Sequence, residues 1–564
     1  MSNSLIIREE QTLIEKNLSD SVDYQTLYLN ADSDVSDAFL NEITNDLINK
    51  KEYNNIFIPL CFGPIMSDFN GLRLAAHIRC TPGFNQNKNI YIFSFVNINQ
   101  LINHECFDII KTIGVQLIKY NFYSIQALIG NKVIMLDIDE LPKEIKKLNL
   151  QVPTNYEDNH SIANEWAIYR WAQVIGAYDD GINKITHLQK SNLYFKYLKT
   201  INPISHLQEI NQNQLKIKKE DNPKILYIDD EAEKGWFEIF ETILYKNNDI
   251  SFYDLDVEFN EKSREEIIDI SLKKIIEEDF DLVILDFRLH KDDFDNSKIE
   301  AISGYQILKK IKEHNKGIQV IIFSATNKIW NLQALQNAGA DGFIIKESPE
   351  NSNDSNFTKE SILSLVKTIE NRLNMIFLKK AYPIIDKIKS NLINISNDNG
   401  GKGLEEGLMK IKFKNEIFIQ LDIIYDCLEK SSLKISTTIE DQHSYLNLSF
   451  ISIFKIIELI NDFYTDEKGI VLKSNNIEVQ MYNQASNTFS SYTNQYPSTR
   501  DKIYSIIKFE LNDEPKCYVN KLNQFINFRN NIIHPKTLKD YKKTTKIENL
   551  EFLKLVNSLI DKMK

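Results

Sequence analysis

Five side chains between residues 229 and 346 are of the types that phosphoryl chemistry requires: the carboxylates Asp229, Asp230 and Asp286, the hydroxyl of Ser324 and the ammonium of Lys346. They lie at the ends of short apolar runs, "KILYID" (224–229), "DLVILDF" (281–287), "IQVIIFSA" (318–325) and "GFIIK" (342–346). Runs of this kind, bounded by polar residues, read as buried strands. A fifth run, "ISFYDLDV" (250–257), follows the first. Helical patterns fall between the runs, which predicts a doubly wound parallel sheet with its active edge at the carboxyl ends of the strands. Three carboxylates gathered there would repel one another unless a hard cation sat among them, and Mg2+ takes such an oxygen set. A metal-held carboxylate beside a fixed Lys suits phosphoryl acceptance, because both cations neutralise charge developing on the phosphoryl oxygens. The Ser324 hydroxyl could then hydrogen-bond the attached group.

The segments "ILYIDDE", "LVILDFRL", "SGYQILKKIK", "IIFSATN" and "NAGADGFIIK" together resemble the receiver domain of two-component response regulators, over about 222–372. The resemblance implies a flavodoxin-like fold in which Asp286 accepts phosphate and Asp229, Asp230 and Asp286 bind Mg2+. It implies that Ser324 is the switch hydroxyl, Phe343 the aromatic switch and Lys346 the invariant-type lysine, with a histidine kinase or another phosphodonor as partner. Two features depart from the family pattern. The proline usual soon after the phosphoacceptor is replaced around "RLHKDD", and "HKDDFDNSKIEAI" lengthens the loop between Asp286 and Gly304. Glu347 stands where a proline usually follows the lysine. The competing reading is a receiver-like domain used only for protein contacts.

A second candidate lies in "FRNNIIHP" (528–535). On an ideal helix Arg529 and His534 are ~140° apart, whereas Asn530 and His534 share a face. Pro535 disfavours helical geometry at His534, so the helix should end there. Arg presents a planar fork to phosphate, and His exchanges protons near neutral pH. RNA cleavage through the ribose 2′-OH needs those two functions and no metal. The pattern R-N-x-x-x-H inside a helical domain resembles the HEPN superfamily over about 404–564. There such a motif marks metal-independent ribonucleases, and paired motifs in a dimer form one composite site. The resemblance implies that Arg529, Asn530 and His534 are catalytic, with RNA as substrate, a homodimer as the working state and no cofactor at this site. Lys536, Lys539, Lys542, Lys543 and Lys546 offer local positive charge. The plainer reading is a helix C-terminus where Arg and His meet the negative end of the dipole.

The elements that position these residues belong to a chain of 564 residues, which predicts three or four domains. Hydrophobic residues make up 42% and charged residues 26%, the balance of an ordinary globular protein with several cores. A net charge of −12 rules out a global nucleic-acid footprint. The five cysteines form no C-x-x-C pair, so neither a zinc site nor a disulfide framework is expected, and a reducing cytoplasm fits. No leader pattern opens the chain, and no uninterrupted apolar run reaches the ~18 residues of a membrane span.

Residues 1–150 read as an α/β domain with strands at "TLYLNAD" (26–32), "IFIPLCFG" (56–63), "IYIFSFV" (90–96) and "VIMLDI" (133–138). "TLYLNADSDVSDAFLNEI" lines up with "ILYIDDEAEKGWFEIFETI", which makes this domain a degenerate receiver-like repeat or an unrelated α/β domain. No aspartate stands in Leu60-Cys61-Phe62, so an aspartyl phosphate cannot form there. A helical connector and linker is expected over 151–221, the receiver over 222–356, and a long helix and joint over 357–403. The helical HEPN-like domain over 404–564 would have four main helices and an irregular insertion at 466–516. The chain then reads as a cytoplasmic, signal-gated ribonuclease of stress response or phage defence. The alternative is a non-enzymatic response regulator whose last domain dimerises or binds a partner.

Overall fold

The computed structural model describes residues 3–9, 24–29, 35–94, 98–129, 136–153, 156–177, 188–203, 210–219, 222–294, 298–325, 329–350, 352, 356–394, 404–431, 439–492, 496–534 and 543–563. Two five-stranded parallel sheets of flavodoxin-like type precede a helical C-terminal region. The first sheet comprises β1 (Ser4–Glu9), β2 (Tyr24–Leu29), β3 (Asn55–Pro59), β4 (Asn89–Ser94) and β5 (Val115–Lys119), in the order β2-β1-β3-β4-β5. The second comprises β6 (Lys224–Ile228), β7 (Ser251–Asp254), β8 (Leu282–Leu285), β9 (Gln319–Ser324) and β10 (Gly342–Ile345), in the order β10-β9-β8-β6-β7. Read from opposite ends, the two orders are the same.

The second sheet follows the expected strands closely. The first corrects the expectation in two places. The run at 24–29 is the second strand, and the first is "SLIIRE", which lies between it and β3. The last strand is Val115–Lys119, a partly exposed edge strand. Of the expected strand at 133–138, residues 133–135 lie outside the described residues, and Ile138 opens a 3-10 turn.

Strand side chains alternate between faces, so each sheet feeds two cores. Ile6, Phe57, Tyr91 and Phe93 fill one face of the first sheet, and Leu226, Ile228, Val283, Leu285, Val320 and Ile322 one face of the second. The remaining faces join a single core, which holds Ile56 and Ile90 of the first sheet together with Tyr227, Ile284 and Phe323 of the second. The helix Tyr156–Ile175 lies in that core, with Trp166 and Trp171 fully buried. Its Trp171 ring meets Trp236 at 5.3 Å and Phe323 at 5.7 Å, both edge-on. Its Arg170 Nε donates to Glu347 Oε1 at 3.2 Å, with both side chains at 2% exposure or less. The polar stretch expected as a linker at 211–223 is also docked: Leu215 and Ile217 are buried, and Ile217 N donates to Asn248.

The helix expected over 357–394 is two helices, Phe357–Leu373 and Leu378–Asn394. The first packs on β9, β10 and the helix Tyr156–Ile175, and so completes the second α/β unit. The second joins the C-terminal bundle beside Leu404–Lys430, Ile439–Tyr464, Val519–Ile533 and Lys546–Lys562. The insertion is not irregular. It forms short strands at Val471–Leu472, Ile477–Glu478, Gln480–Asn483 and Thr488–Ser491 and a helix at Thr499–Ser505, and sends Tyr482, Ile503 and Tyr504 into the bundle core. The joint expected at 397–403 lies outside the described residues.

The Arg170–Glu347 pair gives a direct test of how the connector is held. Removing one partner of a buried pair strands the other charge and costs about 3–5 kcal/mol. Arg170→Ala should therefore lower the midpoint of chemical unfolding. The Arg170→Ala/Glu347→Ala double variant should lose less than the sum of the single losses; strictly additive losses would show that the pair is not coupled.

Candidate active site

Asp229 follows β6, Asp286 follows β8, Ser324 closes β9 and Lys346 follows β10. These strands are neighbours, so their carboxyl ends bring the five sequence-predicted groups to one edge. Carboxylate oxygens of Asp229, Asp230 and Asp286 lie within 4.8 Å of one another. Lys346 Nζ donates to Asp229 Oδ2 at 2.7 Å and sits 3.6 Å from Asp286 Oδ2. It also lies over the Phe323 ring at 5.3 Å and the Trp236 ring at 5.7 Å. Asp229 is oriented by the Glu231 amide at 2.9 Å and the Tyr227 hydroxyl. Asp286 accepts from the Phe287 amide at 2.7 Å and from the Ser324 hydroxyl. Gly304 lets the following helix approach this strand end, since a Cβ there would meet the Asp286 carbonyl oxygen at 2.4 Å.

The electrostatics are those of a site short of positive charge. Burial pushes the Asp286 carboxyl up to about 6, with Asp229 adding to the rise while Lys346 and the hydrogen bonds oppose it. Burial, then Asp229 and Asp286, holds Asp230 well above the usual carboxylate range. Burial works against the Lys346 ammonium, but the surrounding carboxylates outweigh it and raise its pKa. Asp230 Oδ1 is buried without a hydrogen-bond partner. Three hard oxygen donors, one of them unsatisfied, fit a small divalent cation such as Mg2+.

Phe343, on β10, is half-buried against the core beneath the site. Both departures from the receiver pattern have structural explanations. Where the proline is missing, the fully buried Asp293 holds the loop: its carboxylate accepts from the Leu289 and His290 amides and from Ser303, and it pairs with Arg264 at 2.9 Å. His290 caps the same turn, accepting from the Asp292 amide. Glu347 anchors the connector helix through Arg170, and also accepts from Ser352 and Thr358. On the other flank Asn164 of that helix donates to Glu231 at 3.0 Å, next to Asp230. Sequence reasoning missed these connector contacts, although the replacement of proline by Glu347 was a signal that the position has a partner.

Strand register shows what the first unit has in place of this site. Ser4 pairs with Asn55 and Asn55 with Asn89, as Ile225 pairs with Leu282 and Leu282 with Gln319. Counting along the strands puts Arg8 and Glu9 opposite Asp229 and Asp230, Pro59 opposite Asp286, and Ser94 opposite Ser324. The Tyr120 amide donates to the Ser94 carbonyl as the Lys346 amide does to that of Ser324, so Tyr120 takes the lysine's place. Gly71 makes the same close approach as Gly304, its Cβ position 2.2 Å from the Pro59 carbonyl oxygen. The scaffold is kept; the counterparts of Asp286, Asp229 and Lys346 are not.

The helix bearing the second candidate ends at Ile533, with His534 leaving helical geometry (φ −132°, ψ 61°). His534 and Asn530 are exposed on one face, joined by a backbone hydrogen bond of 2.8 Å. Arg529 points to the helix Ile439–Tyr464, where its guanidinium lies 3.5 Å from Glu458 and 5.3 Å over the Phe454 ring. Among the described residues no hydrogen bond or ion pair joins Arg529 to His534. Residues 535–542, with Lys536, Lys539 and Lys542, lie outside the described residues.

Two family models match the chain. The Inactive Receiver domain model matches residues 9–118, and the Response regulator receiver domain model matches residues 266–353, a span that includes Asp286, Ser324 and Lys346. Similar solved structures include the receiver domain of NtrX from Brucella abortus, 22% identical, covering 25% of this chain and 98% of that one at a TM-score of 0.17. Another is a two-component response regulator of the LuxR family from Aurantimonas sp. SI85-9A1, 16% identical, covering 25% of this chain and 86% of that one at a TM-score of 0.17. No curated protein matches. The two receiver-domain matches support a signalling protein, and no described helix is long and apolar enough to cross a membrane.

The raised pKa values of these carboxyls predict how the site responds to pH and metal. Asp286 binds its proton more tightly folded than unfolded, so its contribution to stability is full below about 3.8 and is lost as pH rises through about 6. A divalent cation offsets the repulsion exposed by that loss but competes with protons below it. Mg2+ should therefore raise the melting temperature more at pH 7.5 than at pH 5, and this gain should shrink in Asp230→Asn. An equal gain at both pH values would count against carboxylate binding of the cation.

Proposed function

We propose that the chain is a phosphorylation-switched signalling protein in which Asp286 is the phosphoacceptor of the second α/β unit and the C-terminal bundle is the output. The observation that carries this reading is the convergence of Asp229, Asp230 and Asp286 on Lys346 and Ser324. In the first unit, Pro59 replaces the acceptor on the same scaffold. Bound Mg2+ would be held by the three carboxylates and would neutralise charge on the transferring group. An Asp286 carboxylate oxygen attacks the phosphorus of a small phosphodonor or a phosphohistidine, and the donor's leaving group departs with the bond electrons. Lys346 balances the charge of the acyl phosphate, and the Ser324 hydroxyl is released from Asp286 to hydrogen-bond its oxygens. The first unit, without an acceptor, serves for docking or sensing.

For the output, the reading is RNA cleavage by Arg529, Asn530 and His534, in a site completed by a second copy of the chain. The exposed, helix-terminal His534 supports it, being free to meet a proton donor or acceptor outside its own helix. The Arg529–Glu458 contact favours the second reading, a partner-binding or dimerising bundle, because the guanidinium is already part-neutralised.

One experiment separates these. The purified chain is incubated with total RNA, with and without acetyl phosphate and Mg2+, and phosphorylation and RNA length are followed together. Wild type should take up hydroxylamine-labile phosphate and Asp286→Ala should not; equal labelling of both would end the phosphoacceptor assignment. Wild type should shorten RNA and His534→Ala should not. Identical RNA profiles in every condition would leave the partner-binding bundle.

A further inference from the structure

A cavity of about 910 Å³ lies between the first α/β unit and the helices that follow it. Its wall includes Tyr169 of the helix Tyr156–Ile175, and Lys196 and Lys199 of the helix Leu193–Ile201. Three lysines, Lys190, Lys196 and Lys199, line it, and Asp139 is the one acidic residue of the wall.

Lys196 is the distinctive member. It is 6% exposed, and among the described residues no carboxylate lies within ion-pair distance of it. Its ammonium donates to Thr81 Oγ1 at 2.9 Å and to His77 Nδ1 at 3.3 Å. That arrangement fixes the imidazole: His77 Nε2–H donates to Asp37 Oδ1 at 3.0 Å, and burial keeps the ring neutral, so Nδ1 offers a lone pair. Asp37 is itself held by Arg73 at 2.8 Å and by the Leu193 amide at 2.8 Å. An ammonium has three N–H donors, and two are used. The third has no partner among the described residues, and the group lines the cavity. Burying a cation away from a direct ion-pair partner is costly, and burial lowers this ammonium's pKa to about 8, with the more distant Asp37 carboxylate only partly opposing the fall. An anion in the cavity would reverse that penalty.

The rest of the wall sets the size and kind of anion. The volume is at the upper end of the roughly 300–1,000 Å³ range of small-molecule sites, far more than a lone phosphate needs. Leu141, Pro142 and Pro203 add apolar surface beside the lysines. We propose that this cavity binds a nucleotide, with Lys190, Lys196 and Lys199 as phosphate contacts and the apolar wall against its ring. The site is independent of the carboxylate cluster. Tyr169, in its wall, precedes Arg170, which pairs with Glu347, so a ligand there would bear on the helix that touches the receiver-type site.

The test uses the full chain in EDTA, so that no divalent cation bridges a nucleotide to the carboxylates. ATP, GTP, adenosine and inorganic phosphate are titrated calorimetrically up to about 1 mM, where binding is still measurable. At least one triphosphate should bind. The Lys190→Ala/Lys199→Ala variant, altered only at side chains that are not buried, should bind at least about tenfold more weakly. Lys196→Met should lose binding with an unchanged circular dichroism spectrum, and Asp286→Asn should bind like wild type. Binding by neither triphosphate, unchanged affinity in the Lys190→Ala/Lys199→Ala variant, or equal affinity for inorganic phosphate or adenosine would overturn the proposal.

Discussion

The buried pair between Arg170 and Glu347 is the contact on which the arrangement of the two α/β units depends. Two charges taken almost wholly out of water must be matched in position, because neither can find solvent if the other moves. Glu347 is the residue after Lys346, and Arg170 is the residue before Trp171, whose ring touches Trp236 and Phe323. Those same two rings lie under the Lys346 ammonium. The connector helix thus touches the lysine's surroundings by two routes, one ionic and one aromatic. Asn164, two turns earlier, reaches Glu231 beside Asp230. A change in charge at the carboxylates therefore acts on groups that the connector helix already holds.

The charge balance at the strand ends explains why such a change would matter. Three carboxylates share one lysine, and Asp230 keeps a buried oxygen without a partner. Positive charge or protons taken up at this edge would relieve that repulsion. The first unit shows the same fold after that demand is removed. Pro59, Arg8 and Tyr120 place no acidic cluster at the edge. The matched strand orders and the matched glycines, Gly71 and Gly304, show that the fold survives without the chemistry.

Much of this was legible in the residues themselves. In the second unit the four strands that carry the site are apolar runs followed by a residue of distinct chemistry, so both those strands and the five convergent groups could be read directly. The first unit was harder for a physical reason. "SLIIRE" is short and ends in charges, and the edge strand "VQLIK" is half-exposed, so neither has the apolar run that marks a buried strand. Reading 26–32 as the first strand matches β2, not β1, to β6, and only hydrogen-bonded register puts Pro59 opposite Asp286. The break at 374–377 was hidden because helical periodicity continues on both sides of it. The Arg170–Glu347 pair, 177 residues apart, has no local signal at all beyond a glutamate where a proline was expected.

The break also bears on how the C-terminal bundle is attached. The helix Phe357–Leu373 belongs to the second α/β unit, and Leu378–Asn394 belongs to the bundle. Between them the chain is pinned at the amino ends of the strands: Lys379 pairs with Asp281 at 3.0 Å, Asn315 donates to the Lys379 carbonyl, and a Cβ on Gly317 would meet the Leu378 carbonyl oxygen at 2.2 Å. The carboxylate site lies at the opposite, carboxyl ends. Under the proposed reading, a signal from Asp286 has to cross the sheet or travel along Phe357–Leu373, which packs on β9, β10 and the connector helix. Thr358, in the first turn of that helix, donates to Glu347. One buried carboxylate thus touches the start of the helix leading to the C-terminal bundle and the helix leading back to the first unit, which makes Glu347 the shortest physical link among the three parts of the chain.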